Sequence, residues 1–122
     1  MKNYKDLIVW KKAHELVLLI YRETAGFPKI EQYNLTSQIR RVATSIPTNL
    51  AEGCGKLTQS DFARYLQISL GSTQEVEYLA FLSHALGYLR EDQYKRMDKQ
   101  INEVKAMLIC LVTKVRKDSS ST

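Results

Sequence analysis

The chain has 122 residues, of which 44% are hydrophobic and 25% charged, a composition that suits one globular domain of ordinary size. Eighteen Lys and Arg against thirteen Asp and Glu give a formal net charge of +5, which favours polyanionic partners. Two cysteines are too few for a disulfide framework, and five glycines with two prolines are too few for the turns of an all-β protein. No stretch is long and apolar enough to span a membrane, so we expect a cytoplasmic protein with no membrane partner.

The first helix is predicted over about residues 6–25, because apolar side chains there recur at steps of three and four. It should end at Gly26, which tolerates a left-handed turn, shortly before Pro28. Its apolar stripe is wider than a surface helix needs to cover one core, which predicts a second buried contact between copies of the chain. The candidates for that contact are Trp10, Leu18 and Tyr21, with Trp10 as a simple core residue the alternative.

The second helix is predicted over about residues 35–53 and contains Pro47. Proline removes a backbone donor and crowds the preceding turn, so this helix should be kinked. A line of polar side chains follows one face of it, at the positions Gln38, Arg41, Ser45, Asn49 and Glu52. This line is either a solvated face or a half-buried polar seam in which Arg41 pairs with Glu75 of the third helix.

The third helix is predicted over about residues 59–87 and the fourth over 91–117, with residues 118–122 as a frayed tail. Small residues form one line of the third helix, which would let a neighbouring helix approach closely. The short connections make consecutive helices antiparallel neighbours. The sequence therefore predicts an all-α, antiparallel, up-down-up-down four-helix bundle, as a single domain over residues 1–122.

Residues with the spacing of a catalytic or metal site are not apparent. His14 and His84 lack the spacing that places two metal ligands on one helical face. The segment Gly53–Lys56 lacks the length and the following Ser or Thr of a phosphate-binding loop. An enzyme that uses Cys54 or a carboxylate pair is the weakest alternative. We therefore expect no catalytic residues, no metal, no cofactor and no small-molecule substrate.

Basic side chains offer a more specific hypothesis. Arg40, Arg41, Lys56 and Arg64 are predicted to form one surface where the second and third helices meet, and such a surface could neutralise phosphates of RNA or DNA. A second basic set lies along the fourth helix, but acidic residues interrupt it, which favours a solvated face of mixed charge.

Several separated motifs resemble one known family, and together they cover nearly the whole chain. They are Leu7 to His14, Phe27–Pro28 with Glu31, Leu35 to Arg41, Ser45 to Gly53, Phe62, Leu66, and Gly71–Ser72 with Glu75. The chain looks like the bacterial four-helix bundle proteins first noticed as products of intervening sequences in 23S ribosomal RNA genes. The resemblance implies an antiparallel bundle that forms a homopentamer. It also relates the chain to the accessory protein of diversity-generating retroelements, which binds nucleic acid, and it implies no established biochemical activity.

Two hypotheses follow for the function. The first is a non-enzymatic homo-oligomer, pentameric if the resemblance holds, whose summed basic charge binds RNA or DNA through phosphates. The second is a purely structural or protein-interaction module, in which the apolar faces assemble subunits and the charge only confers solubility. The first predicts affinity for nucleic acid at low salt, and the second predicts stable oligomers without it.

Overall fold

The structure is a computed structural model, which describes the backbone of residues 2–120 and the side chains of residues 2–118. It contains four α-helices, and no strand occurs within the described residues. Their bounds are Ile8–Thr24 for α1, Leu35–Cys54 for α2, Gln59–Ala85 for α3 and Glu91–Ser120 for α4. The predicted all-α class and the four-helix bundle are confirmed.

Local geometry moves some helix ends from their predicted places. A short 3-10 turn, Tyr4–Asp6, precedes α1, and the extended backbone of Leu7 delays the start of the helix to Ile8. A second 3-10 turn, Lys29–Glu31, occupies the connection before α2. The helix α4 continues to Ser120, past its predicted end, and residues 121–122 of the predicted frayed tail lie outside the described residues.

The glycine that adopts a left-handed conformation is Gly87, with φ of 81°, in the connection between α3 and α4. The left-handed turn expected at Gly26 is not formed, because Gly26 has a negative φ. The first helix ends instead with a hydrogen bond from the amide of Ala25 to the carbonyl of Arg22.

Each helix packs against two others. The pairs are α1 with α2, α2 with α3, α3 with α4, and α4 with α1, so α1 and α3 occupy opposite corners of the bundle. Early residues of each helix meet late residues of the helix beside it, which makes neighbouring helices antiparallel. Three such contacts are Arg40 with Tyr21, Glu91 with His84, and Arg96 with Glu23.

The core is filled by aliphatic side chains from all four helices, among them Leu16, Ile46, Leu66 and Leu108, each fully buried. Their spacing follows the periodicity read from the sequence, because residues three and four apart share a helical face. Pro47 is also buried and lies inside α2, which continues on both sides of it. A kink at Pro47 stays a prediction.

The line of small residues on α3 faces this core. Ser69, Thr73 and Ser83 are fully buried, yet each hydroxyl donates a hydrogen bond to a backbone carbonyl. The bond from Ser69 crosses to the carbonyl of Ile46 in α2, at 2.9 Å, whereas the other two stay within α3. Buried hydroxyls that keep a partner avoid the cost of desolvation, so small polar residues fit where α2 and α3 approach closely.

Candidate nucleic-acid interface

The Arg40 side chain binds the C-terminal end of α1. Its Nε donates to the hydroxyl of Thr24 at 2.9 Å, and its Nη2 donates to the carbonyl of Tyr21 at 3.2 Å. The guanidinium also lies over the Tyr21 ring, 4.7 Å from the ring centroid. The last carbonyls of a helix have no partner within the helix, and Arg40 supplies one from the neighbouring helix. Its role is therefore structural.

The predicted surface of four basic residues is not formed. Arg41 is exposed and lies in the second turn of α2, whereas Lys56 follows the end of that helix. At 1.5 Å per residue, the intervening turns separate the two by about 20 Å along the bundle axis. The four side chains therefore fall into two groups at opposite ends of the bundle, with Arg40 and Arg41 in one and Lys56 and Arg64 in the other.

Lys56 and Arg64 share an aromatic partner. The Lys56 ammonium and the Arg64 guanidinium each lie 5.0 Å from the centroid of the Tyr65 ring. Tyr65 is held close to α2, because Gly53 presents no side chain and a Cβ there would lie 2.8 Å from the Cβ of Tyr65. The negative face of an aromatic ring attracts cations without neutralising their charge. These two cations are therefore positioned but remain available to an anion.

The chain start brings further cations to the same place. The amide of Lys2 donates to the carbonyl of Cys54 at 3.0 Å, and the Lys2 ammonium lies 5.5 Å from the centroid of the Phe62 ring. Lys5 lies over the ring of Tyr4 at 5.9 Å. We call Lys2, Lys5, Lys56 and Arg64 the basic end of the bundle.

Few carboxylates lie within ion-pair distance of the cations of the basic end. Among the described residues, only Arg64 of this group has an acidic side chain within 4.0 Å, and that contact, with Asp61, is 3.9 Å long. Asp61 follows Thr58, whose hydroxyl caps the start of α3 by accepting from the Asp61 amide. Exposed pairs of this length contribute little energy, so the cations of the basic end are only weakly paired.

Charge pairing along the sides and at the opposite end of the bundle is mixed. Arg96 lies 3.0 Å from Glu23, and Lys105 lies 2.6 Å from Glu77, so carboxylates compensate basic residues of α4. The mixed-charge interpretation of the fourth helix agrees with these contacts. Unpaired cations are nevertheless not confined to the basic end. Exposed cations without an acidic side chain within 4.0 Å, among the described residues, also include Lys11, Lys29, Arg41, Lys99 and Lys114.

The polar line of α2 is neither a continuous seam nor wholly solvated. Ser45 is half-buried and donates to the Ser72 hydroxyl of α3 at 2.7 Å, and Asn49 donates to the Ser45 carbonyl at 2.8 Å. The remaining members are half-buried Gln38 and the exposed residues Arg41 and Glu52, and Glu75 of α3 is exposed as well. The predicted ion pair between Arg41 and Glu75 is not formed, because both side chains point to solvent.

The three candidates for an interface between copies have different surroundings. Trp10 is half-buried, packs edge-on against Tyr4 and stacks on His14, so much of its surface is covered within its own chain. Leu18 and Tyr21 are exposed by 56% and 46%. The wide stripe of α1 therefore leaves apolar surface uncovered on both sides of Trp10, at Ile8 and at Leu18 and Tyr21.

The two thiols are in contrasting environments. Burial raises the pKa of the Cys54 thiol, although nearby Lys2 opposes the shift, and Cys54 is only 2% exposed. A nucleophilic thiol needs the opposite change, so the environment of Cys54 disfavours catalysis. Cys110 is exposed and lines an apolar groove of about 470 Å³ between the start of α1 and the second half of α4. No cluster of potential metal ligands occurs among the described residues.

Sequence reasoning missed the contribution of the chain start to the basic end. Lys2 and Lys5 flank Tyr4 in the sequence, and basic residues around an aromatic one are a pattern typical of a nucleic-acid-binding surface. The pattern alone does not place these residues beside Lys56, because the backbone contact that folds this segment against the end of α2 has no sequence signature.

Fold and charge together define a small, basic four-helix-bundle protein. None of its described helices has both the length and the apolar character needed to cross a membrane. The chain belongs to the family of 23S rRNA-intervening sequence proteins, which matches residues 5–110. It is also similar to a crystal structure from Bacteroides thetaiotaomicron, described as a protein with unknown function from the S23 ribosomal protein family. The two share 26% sequence identity with a TM-score of 0.78, over 86% of this chain and 98% of the other. Curated proteins yielded no match.

Proposed function

We propose that this chain is a cytoplasmic, non-enzymatic homo-oligomer, pentameric in its assembled form, which binds RNA or DNA through the phosphates that meet its basic end. The observation that carries the proposal is the cluster of cations at one end of the bundle. Lys2, Lys5 and Lys56 each lie near an aromatic ring, and none of the three has a carboxylate within 4.0 Å among the described residues. Uncompensated cations release counterions when they meet phosphates, which favours binding at low salt.

Phosphate contact is favoured over reading of bases. Two cations already lie against Tyr65, which leaves little of that ring for a stacked base. Lysine and arginine side chains on short connections fit the sequence-independent contacts that position a protein on a nucleic acid. Assembly would repeat the basic end in every subunit, so weak single contacts would add.

The test is an electrophoretic shift titration of the whole protein with a ribosomal RNA fragment and with duplex DNA, at about 50 and about 200 mM salt. The variant Lys56→Gln with Arg64→Gln removes two cations of the basic end. Its matched control is Lys29→Gln with Arg41→Gln, because both are exposed cations outside the basic end.

The basic-end variant should bind at least about tenfold more weakly at low salt. The slope of its log affinity against log salt should become shallower by roughly 0.9 for each phosphate that the variant no longer neutralises. The control should bind like the unmodified chain. Absence of binding to either probe at low salt would contradict the proposal, as would equal weakening in both variants.

A structural or protein-interaction module is the second candidate. It is supported by strongly exposed apolar side chains in the connections, Ile30, Tyr33 and Leu57. Such side chains mark contact surfaces when they lie together with other apolar residues. This candidate predicts a stable oligomer that leaves both nucleic-acid probes unshifted at low salt.

A further inference from the structure

Gly71 lies in the middle of α3, where the packing of the subunit gives no reason for a glycine. It is exposed, and a Cβ built there would meet nothing within 4 Å. Glycine inside a helix costs about 1 kcal/mol relative to alanine. Gly53 is the contrasting case, since a Cβ there would collide with Tyr65. Within its own chain, the cost of Gly71 therefore has no compensating contact.

Exposed apolar side chains surround Gly71 along the same outer face. Ile68, Tyr78 and Phe81 are exposed by 43%, 59% and 55%. Their positions relative to Gly71 differ by three, seven and ten residues, which places them on one side of the helix. A helix that covers only one core has a polar outer face, whereas α3 carries apolar residues on opposite sides. We call this surface the α3 outer face.

A second apolar surface lies on α1. Ile8 and Leu18 are exposed by 66% and 56%, and the groove between α1 and α4 continues this surface beyond Ile8. We call Ile8 and Leu18, with Lys11 between them, the α1 outer face. Since α1 and α3 occupy opposite corners of the bundle, the two outer faces point in different directions.

Each of the two faces carries an exposed charge that could pair with a charge on the other. Glu75 lies one turn from Gly71, is exposed and has no basic side chain within 4.0 Å among the described residues. Lys11 of the α1 outer face is likewise exposed and has no acidic side chain within that distance. Glu15 adds an exposed acidic side chain to the α1 outer face, three residues before Leu18, so the pair that favours a contact between the two unlike faces is Lys11 with Glu75.

We infer that the partner of the α3 outer face is the α1 outer face of a second copy, and that Gly71 lets the two helices meet closely. This inference rests on the proposed homo-oligomer and specifies its contact. The contact is heterologous, so every subunit binds one neighbour through its α3 outer face and the other neighbour through its α1 outer face. A repeated contact of this kind closes into a ring when its rotation allows.

The experiment measures mass in solution by sedimentation velocity. Gly71→Gln fills the open space on the α3 outer face, and the pair Ile8→Gln with Leu18→Gln makes the α1 outer face polar. Ile30→Gln with Ile109→Gln is the matched control, since both residues are exposed and lie outside the two faces. Circular dichroism checks that each variant keeps its helical content.

We expect each face variant alone to fall to the single-chain mass of 14.1 kDa at a concentration where the unmodified chain and the control are assembled. An equimolar mixture of the two face variants should form a species of two chains and nothing larger, because one α3 face and one α1 face remain intact between them.

Three outcomes would overturn the inference. An unmodified chain that stays monomeric at high concentration removes the homo-oligomer and this contact with it. Assembly that persists in both face variants leaves the homo-oligomer standing and shows that its contact lies elsewhere. Face variants that each stay monomeric, and remain so when mixed, show that the two faces do not bind each other.

Discussion

Gly53→Ala should destabilise the protein although alanine is the better helix former. The new Cβ would lie 2.8 Å from the Cβ of Tyr65 and 3.2 Å from Cδ1 of Phe62, and the first of these atoms is anchored to the α3 backbone. Relief therefore requires α3 to move, so the cost lies in the upper half of the range for overpacking, at about 2–3 kcal/mol. The gain in helix propensity is about 1 kcal/mol, which leaves a net destabilisation of about 1–2 kcal/mol.

The assay is thermal unfolding followed by circular dichroism at matched protein concentrations, because the proposed assembly would make the midpoint depend on concentration. For a chain of this length the unfolding entropy converts the destabilisation to a fall of about 4–8 °C in Tm. Gly26→Ala is the control, since its Cβ would meet nothing within 4 Å and its φ is negative. That substitution should raise stability by about 0.4–1 kcal/mol. A Gly53→Ala protein as stable as the unmodified chain would refute the close approach of α2 and α3.

Three further predictions concern single side chains. Arg40→Met should lower the free energy of unfolding by about 1–2 kcal/mol, because the hydroxyl of Thr24 and the end of α1 lose their donor, and denaturant unfolding measures this. Nucleic-acid binding by the folded Arg40 variant should not change. Ser69→Ala should cost about 0.5–1.5 kcal/mol in the same assay, because it removes a buried hydrogen bond between helices. A thiol reagent at about pH 8 should label Cys110 rapidly and Cys54 slowly, since burial raises the pKa of Cys54 and shields it, and denaturant should remove the difference.

The bundle itself could be predicted because the positions of its core residues repeat with the period of a helix. Ile39, Ile46, Met97 and Leu108 are all fully buried, as their spacing indicates. The small residues of α3 also indicated that a neighbouring helix approaches closely, and the structure places α2 there, beside Ser69. These features depend on the order of residues within one helix, which the sequence contains in full.

The grouping of basic residues was predicted wrongly because it depends on the position of each side chain along the bundle axis. Arg41 and Arg64 belong to neighbouring helices, but antiparallel packing places one near the start of α2 and the other beside its end. The capping role of Arg40 depends on which turn of α1 lies beside it, and that alignment is a property of the assembled fold.

The placement of the basic end has a geometric consequence for any ring whose rotation axis runs along the bundles. Rotation alone relates the subunits of such a ring, so the ends that carry Lys56 and Lys2 would all lie on one side of the disc. The two sides of the ring would then differ in electrostatic potential, and a long polyanion would bind to the side that carries the basic ends.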